Sequence, residues 1–122
     1  MERSAALYSL GAEIKLHVHD GFFDVTFQNN EYQGLAIRLL GGHQKENAAI
    51  VVVVVALIQR FFPVSPDALR QGLLATRYPG RIEWLAENLL VDCAHNPDGA
   101  SRLADYLRRL PHDLPRLSLI HI

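Results

Sequence analysis

The sequence predicts an α/β chain: a β-meander and two helices first, then the opening βαβ unit of a second domain. Three observations carry that expectation. Apolar and polar residues alternate along successive short runs as far as Leu39. A long apolar stretch follows Gly41-Gly42. Two later helix starts, at Ser65-Pro66-Asp67 and Asn96-Pro97-Asp98, share one capping grammar.

Ile14, Leu16 and Val18 alternate with Lys15, His17 and His19, the period-two pattern of a half-buried strand. Asp20-Gly21 signals a turn, and Phe23, Val25 and Phe27 alternate again. Asn29-Asn30-Glu31 is expected to make the second turn, with a third strand running through Leu35, Ile37 and Leu39. Residues 43–62 exceed an ordinary strand, which averages about 5–6 residues. Polar residues open that run and Pro63 closes it, so a helix is predicted despite the β-branched block Val51-Val52-Val53-Val54-Val55. Being apolar nearly all round, it is expected to be buried on most faces.

Ser65 supplies a hydroxyl N-cap, Pro66 a first helical residue and Asp67 an acid near the positive dipole end, for a helix to Ala75. A domain boundary is placed near Tyr78-Pro79-Gly80, dividing the chain into residues 1–78 and 79–122. Residues 82–86 and 89–91 read as short strands about Glu87-Asn88. A helix opened by Asn96-Pro97-Asp98 carries Leu103, Tyr106, Leu107 and Leu110 at helical spacing. Residues 117–122 would be the next strand, completing a βαβ unit. One such unit cannot cover both faces of a parallel sheet, so a larger assembly is expected around it.

The chain has 122 residues, twelve basic and thirteen acidic, and a net charge of −1. So balanced a charge excludes nucleic-acid or membrane-surface binding that rests on a broad field. The single cysteine, Cys93, permits no internal disulfide. Neither a secretory leader nor a span of about 20 apolar residues is legible, which points to a soluble cytoplasmic protein.

Three polar clusters carry possible chemistry. Gly41-Gly42-His43-Gln44-Lys45-Glu46-Asn47 opens a helix, where free N–H groups suit a phosphate and an Asn side chain both donates and accepts. Plain helix capping is the simpler alternative. Tyr78-Pro79-Gly80-Arg81-Ile82-Glu83 holds an arginine after a rigid turn, placed to clamp phosphate, or else merely solvated. In the stretch from Leu89 to Pro97, an apolar strand ends in Asp92 and His95 precedes the next helix. Ligands of open α/β sheets bind beyond such strand ends. Asn96 as a cap, with Asp92 and His95 as satisfied neighbours, explains the same residues. His17 and His19 share a strand face but lack a third metal ligand, and Cys93 reads as buried and inert. No G-x-x-x-x-G-K-[ST] phosphate loop occurs.

In order, His43-Gln44-x-x-Asn47-Ala48-Ala49, Pro79-Gly80-Arg81-Ile82-Glu83 and Asp92-x-Ala94-His95-Asn96-Pro97 resemble the folylpolyglutamate synthase/dihydrofolate synthase family of the Mur ligase superfamily. The likeness covers residues 39–110; Cys93 stands where glycine is common and Tyr78 where tryptophan is frequent. It implies the end of a Mur-ligase central ATP-binding domain followed by the first βαβ unit of a Rossmann-like C-terminal glutamate-ligase domain. It further implies that Asn47, Arg81, Asp92 and His43 contact ATP and that His95 lies near the reacting groups as a catalytic candidate.

The implied reaction adds L-glutamate to dihydropteroate or folate through an acyl phosphate. ATP and Mg²⁺ would be required, the metal ligands lying outside this chain, which alone is expected to be inactive. A monomer is expected for the full-length protein. A Mur-type peptidoglycan ligase, a cyanophycin synthetase-like ligase and a non-catalytic nucleotide-binding module are the alternatives.

Overall fold

The computed structural model describes residues 5–111. Its first part is a three-stranded antiparallel sheet, β1 (Ile14–Val18), β2 (Phe23–Phe27) and β3 (Asn30–Leu35), in sequential order. Ile14 pairs with Phe27, Leu16 with Val25 and Val18 with Phe23. The alternation in β2 puts Phe23, Val25 and Phe27 on one face, essentially without solvent exposure, while Asp24 and Thr26 face outward.

Two details differ from the sequence expectation. The second turn is Gln28-Asn29, with Gln28 at φ 54° and Asn30 already paired to Phe27. The third strand ends at Leu35, short of Ile37 and Leu39. The register shifts opposite Asp24, Gly34 takes φ 65°, and its N–H donates to Asp24 Oδ1 at 2.8 Å in place of a ladder bond. A carboxylate that captures a backbone donor in this way bends the strand out of its ladder.

Helix α1 (Gly42–Ile58) lies against β1 and β2. Ala48, Ala49, Val52 and Val53 point into the core, small residues bringing the helix close to the sheet. Tertiary burial thus overrides the low helix propensity of the valine block. Only one face is covered, contrary to the expectation of burial on most faces: Ile50, Val51 and Val54 remain about half exposed among the described residues. The helix also ends before Phe62. The Gln59 side chain donates to Val64 O at 2.8 Å and accepts from Val64 N at 3.2 Å, folding residues 59–62 into a turn.

Helix α2 (Pro66–Ala75) begins as read: Ser65 Oγ accepts from Ala68 N at 3.1 Å, and Leu69 and Leu73 are buried.

Beyond it, β4 (Glu83–Ala86) and β5 (Leu89–Val91) pair antiparallel about Glu87-Asn88, and α3 (Pro97–Arg108) follows. Asn96 Oδ1 caps α3 by accepting from Gly99 N at 2.8 Å. Leu103, Tyr106, Leu107 and Leu110 are partly buried, and Trp84 Nε1 donates to the Tyr106 hydroxyl at 3.0 Å, tying hairpin to helix. The strand expected at 117–122 lies outside the described residues; within them β4 and β5 form an antiparallel pair only.

Candidate functional site

The first turns of α1 and the Tyr78–Arg81 corner face each other across an open cavity of about 230 Å³, lined by Leu39, His43, Gln44, Asn47, Tyr78 and Arg81. Positions 43 and 47 fall on one helix face because they are four apart. Gln44, buried at 6% exposure, is the hub: its Nε2 meets His43 Nε2 at 3.1 Å, and its Oε1 accepts from Asn47 Nδ2 at 3.3 Å. An amide nitrogen only donates, so in this contact the His43 Nε2 is the acceptor. The other polar side chains of the first turn point elsewhere: Lys45 donates to His19 O, and Glu46 pairs with Arg102 at 3.1 Å.

The start of α1 has no side-chain cap, Gly41 being its N-cap at φ 99°. The Gln44 amide donates to Gly41 O at 3.1 Å, and the amides of Gly42 and His43 before it keep free donor capacity, a feature that favours anions. Arg81 lies half-buried with its guanidinium 5.5 Å from the Tyr78 ring centroid, a cation–π contact. Among the described residues no carboxylate pairs with it. A cation and an aromatic ring on one wall and amide groups on the other can hold a planar, anionic molecule.

Of the residues singled out from the sequence, His43, Asn47 and Arg81 line this cavity together. Asp92 lies outside its lining, with both oxygens engaged: Oδ2 accepts from Ile82 N at 2.9 Å and Oδ1 from Ala94 N at 2.8 Å. His95 is exposed at the approach to α3, its Nδ1 3.1 Å from Cys93 O. Cys93 is exposed rather than buried, although its sulfur rests against Gly80.

Of the other wall residues, Leu39 lay outside the three clusters, while Gln44 and Tyr78 stood within them without being assigned a contact. The Gln44 signal was its place between two polar residues on a helix otherwise packed with alanine and valine.

A second, larger groove of about 330 Å³ lies between the Gln28-Asn29 turn and α2, lined in part by Tyr32, Leu35, Leu69 and Arg70. Arg70 there is already engaged, with Asp67 and with Gln33 O. On the sheet edge, His19 Nε2 meets Asp24 Oδ2 at 2.9 Å and its ring stacks on Phe22 at 4.5 Å. The Gly34 amide, aided by His19, holds the Asp24 carboxyl below its ordinary value. The described residues contain no group of three or more potential metal ligands and no helix long and apolar enough to cross a membrane.

No family model matches the sequence. Individual proteins do. The chain is 33% identical over 100 residues to folylpolyglutamate synthase of Lacticaseibacillus casei. It is 32% identical over 90 residues to dihydrofolate synthase/folylpolyglutamate synthase of Bacillus subtilis. The fold agrees: an FPGS complex with AMPPCP and folate superposes with a TM-score of 0.73 over 85% of this chain, at 28% identity.

The chain is homologous to the folylpolyglutamate synthase/dihydrofolate synthase family.

FolC of Escherichia coli in complex with ADP gives a TM-score of 0.70 over 84% of this chain, also at 28% identity. The curated matches cover 79% and 69% of this chain but only 23% and 21% of those two synthases. The structural matches likewise cover 28% and 24% of the solved chains. The chain thus spans between a fifth and a quarter of the length of those two curated relatives.

Proposed function

We propose that this chain supplies part of the nucleotide cleft of an ATP-dependent ligase that joins L-glutamate to dihydropteroate or folate. The observation that carries the reading is the cavity shared by His43, Asn47 and Arg81, in a chain whose structural relatives include complexes with ADP and AMPPCP. In this reading residues 1–78 belong to the central ATP-binding domain and 79–122 begin the glutamate-ligase domain. Asn47 reads polar groups of the nucleotide, and the free amides of α1 together with Arg81 face its phosphates. The cavity is smaller than the 300–1,000 Å³ usual for ligand sites, as befits one portion of a larger cleft.

The chemistry is activation of the folate-type carboxylate by phosphoryl transfer from ATP, followed by attack of the glutamate amine and loss of phosphate. An acyl phosphate survives only where water is kept out, which favours a cleft closed from two sides. Arg81 is placed to offset charge on the phosphoryl group. His95, exposed beside Cys93 O, would have to turn or be brought inward to take a catalytic part. The described residues offer no Mg²⁺ ligand cluster, so no step is assigned to a metal held by them.

Calorimetry with ADP tests the assignment. The chain should bind weakly, and Arg81→Ala or Asn47→Ala should weaken binding by about tenfold, the worth of one strong hydrogen bond. Identical binding by all three proteins would remove the assignment. The chain alone should ligate no glutamate when given ATP and dihydropteroate; measurable turnover would contradict its role as part of a larger site.

A further inference from the structure

Ile82 is anomalous three times over. It is only 1% exposed, the one buried apolar side chain beyond Leu73 among the described residues, yet it stands apart from the main core. It adopts φ +47°, a left-handed conformation that a β-branched residue reaches only when its surroundings impose it. Its amide donates to Asp92 Oδ2 at 2.9 Å.

Its surroundings explain the imposition. The δ-methyl of Ile82 reaches the loop before α1: a Cβ built on Gly41 would lie 2.9 Å from Ile82 Cδ1 and 2.8 Å from His43 Cε1. Gly41 thus leaves room that Ile82 and the His43 ring fill. The flanking backbone is pinned from the other side. Gly80 N donates to Glu83 Oε2 at 2.7 Å, and Gly80 O accepts from Cys93 N at 2.8 Å. Arg81 therefore sits between two fixed residues. Its pins come from the β4–β5 segment, and the adjacent peg is seated at the start of α1.

We infer that Ile82 is a positioning residue: a peg in the Gly41–His43 socket, locked by Asp92, that registers Arg81 against the amide-bearing start of α1. On this view Asp92 holds Ile82 in place through its amide. The inference rests on the proposed nucleotide reading for its consequence, though not for its geometry. The Arg102–Glu46 pair at 3.1 Å is a second tether between the two segments, partly exposed on both sides and so weaker.

The test is made by NMR on the whole 122-residue chain. Residual dipolar couplings for α1 and for the β4–β5–α3 segment should fit one alignment tensor in the wild type. Ile82→Ala should split them into two, shift the Arg81 side-chain resonances, and weaken ADP binding about tenfold. Ile82→Leu, which keeps a δ-methyl, should restore all three, and Arg102→Ala should leave the single tensor intact. Should Ile82→Ala prove poorly folded, Gly41→Ala attacks the same socket from the other side and should displace Arg81 in the same sense.

One tensor with unmoved Arg81 resonances in Ile82→Ala or Gly41→Ala would overturn the inference. A split tensor in a chain whose wild type binds no ADP would uphold the peg and defeat the nucleotide reading instead.

Discussion

The segments on either side of Tyr78 hold their shape by different means. The first is built round a continuous apolar core in which Phe23, Phe27, Leu35 and Val52 lose nearly all exposure between sheet and α1. The second has no fully buried residue on α3. It is held by hairpin pairing, the Trp84–Tyr106 hydrogen bond, the Arg102–Glu46 pair and the single peg of Ile82. Hydrophobic burial stabilises the first without help from a distant partner, whereas the second depends on a few directional contacts. Ligand groups drawn from both segments are therefore held together by those few contacts rather than by the core.

That contrast can be broken from either end. Phe27→Ala should cost about 3–5 kcal/mol of stability by urea unfolding, because it empties a fully packed site. Leu107→Ala, on the partly buried face of α3, should cost about 1 kcal/mol, since less area leaves water there. Equal losses at the two positions would show that the segments share one core after all. Ser65→Ala should remove about 1 kcal/mol by deleting the cap that Ala68 N uses. Arg102→Ala should change stability by less than about 1 kcal/mol, its pair being partly exposed.

A smaller effect is expected with acid. The folded carboxyl of Asp24 lies below its ordinary value of 3.8, chiefly through the Gly34 amide. Its contribution is thus present above that ordinary value and lost as the pH falls through the lowered folded one. The Gly34 amide resonance should titrate below pH 3.8 in the folded chain; a midpoint at or above it would remove the contact's role.

Much of the first segment was legible because its signals are local. The alternation of Phe23, Val25 and Phe27 needs only a period of two, and Ser65-Pro66-Asp67 states its cap within three neighbours. The end of β3 was not legible, because it depends on Asp24 capturing the Gly34 amide across the sheet. Nor was the exposure of the outer face of α1, which composition alone cannot assign to a side.

For the site, His43, Asn47 and Arg81 could be picked out by residue type beside a helix start and a rigid turn. The engagement of Asp92 could not. A strand-end acid reads as a ligand contact, and nothing nearby in sequence says that Ile82, ten positions earlier, also offers its amide to that carboxylate. Ile82 itself looked like the first residue of a strand. Its left-handed backbone is set by a socket made from Gly41, a long-range fact without a local signature.

The central claim is that a nucleotide lies between the start of α1 and the Tyr78–Arg81 corner. The most direct measurement is a titration of the isotope-labelled chain with ADP, following backbone and side-chain amide shifts. Perturbations should gather at residues 39–47 and 78–82, including the Asn47 side-chain amide, and leave β1, β2 and the outer face of α3 unmoved. Perturbations centred on Asn30 and Arg70, or none at millimolar ADP, would contradict it.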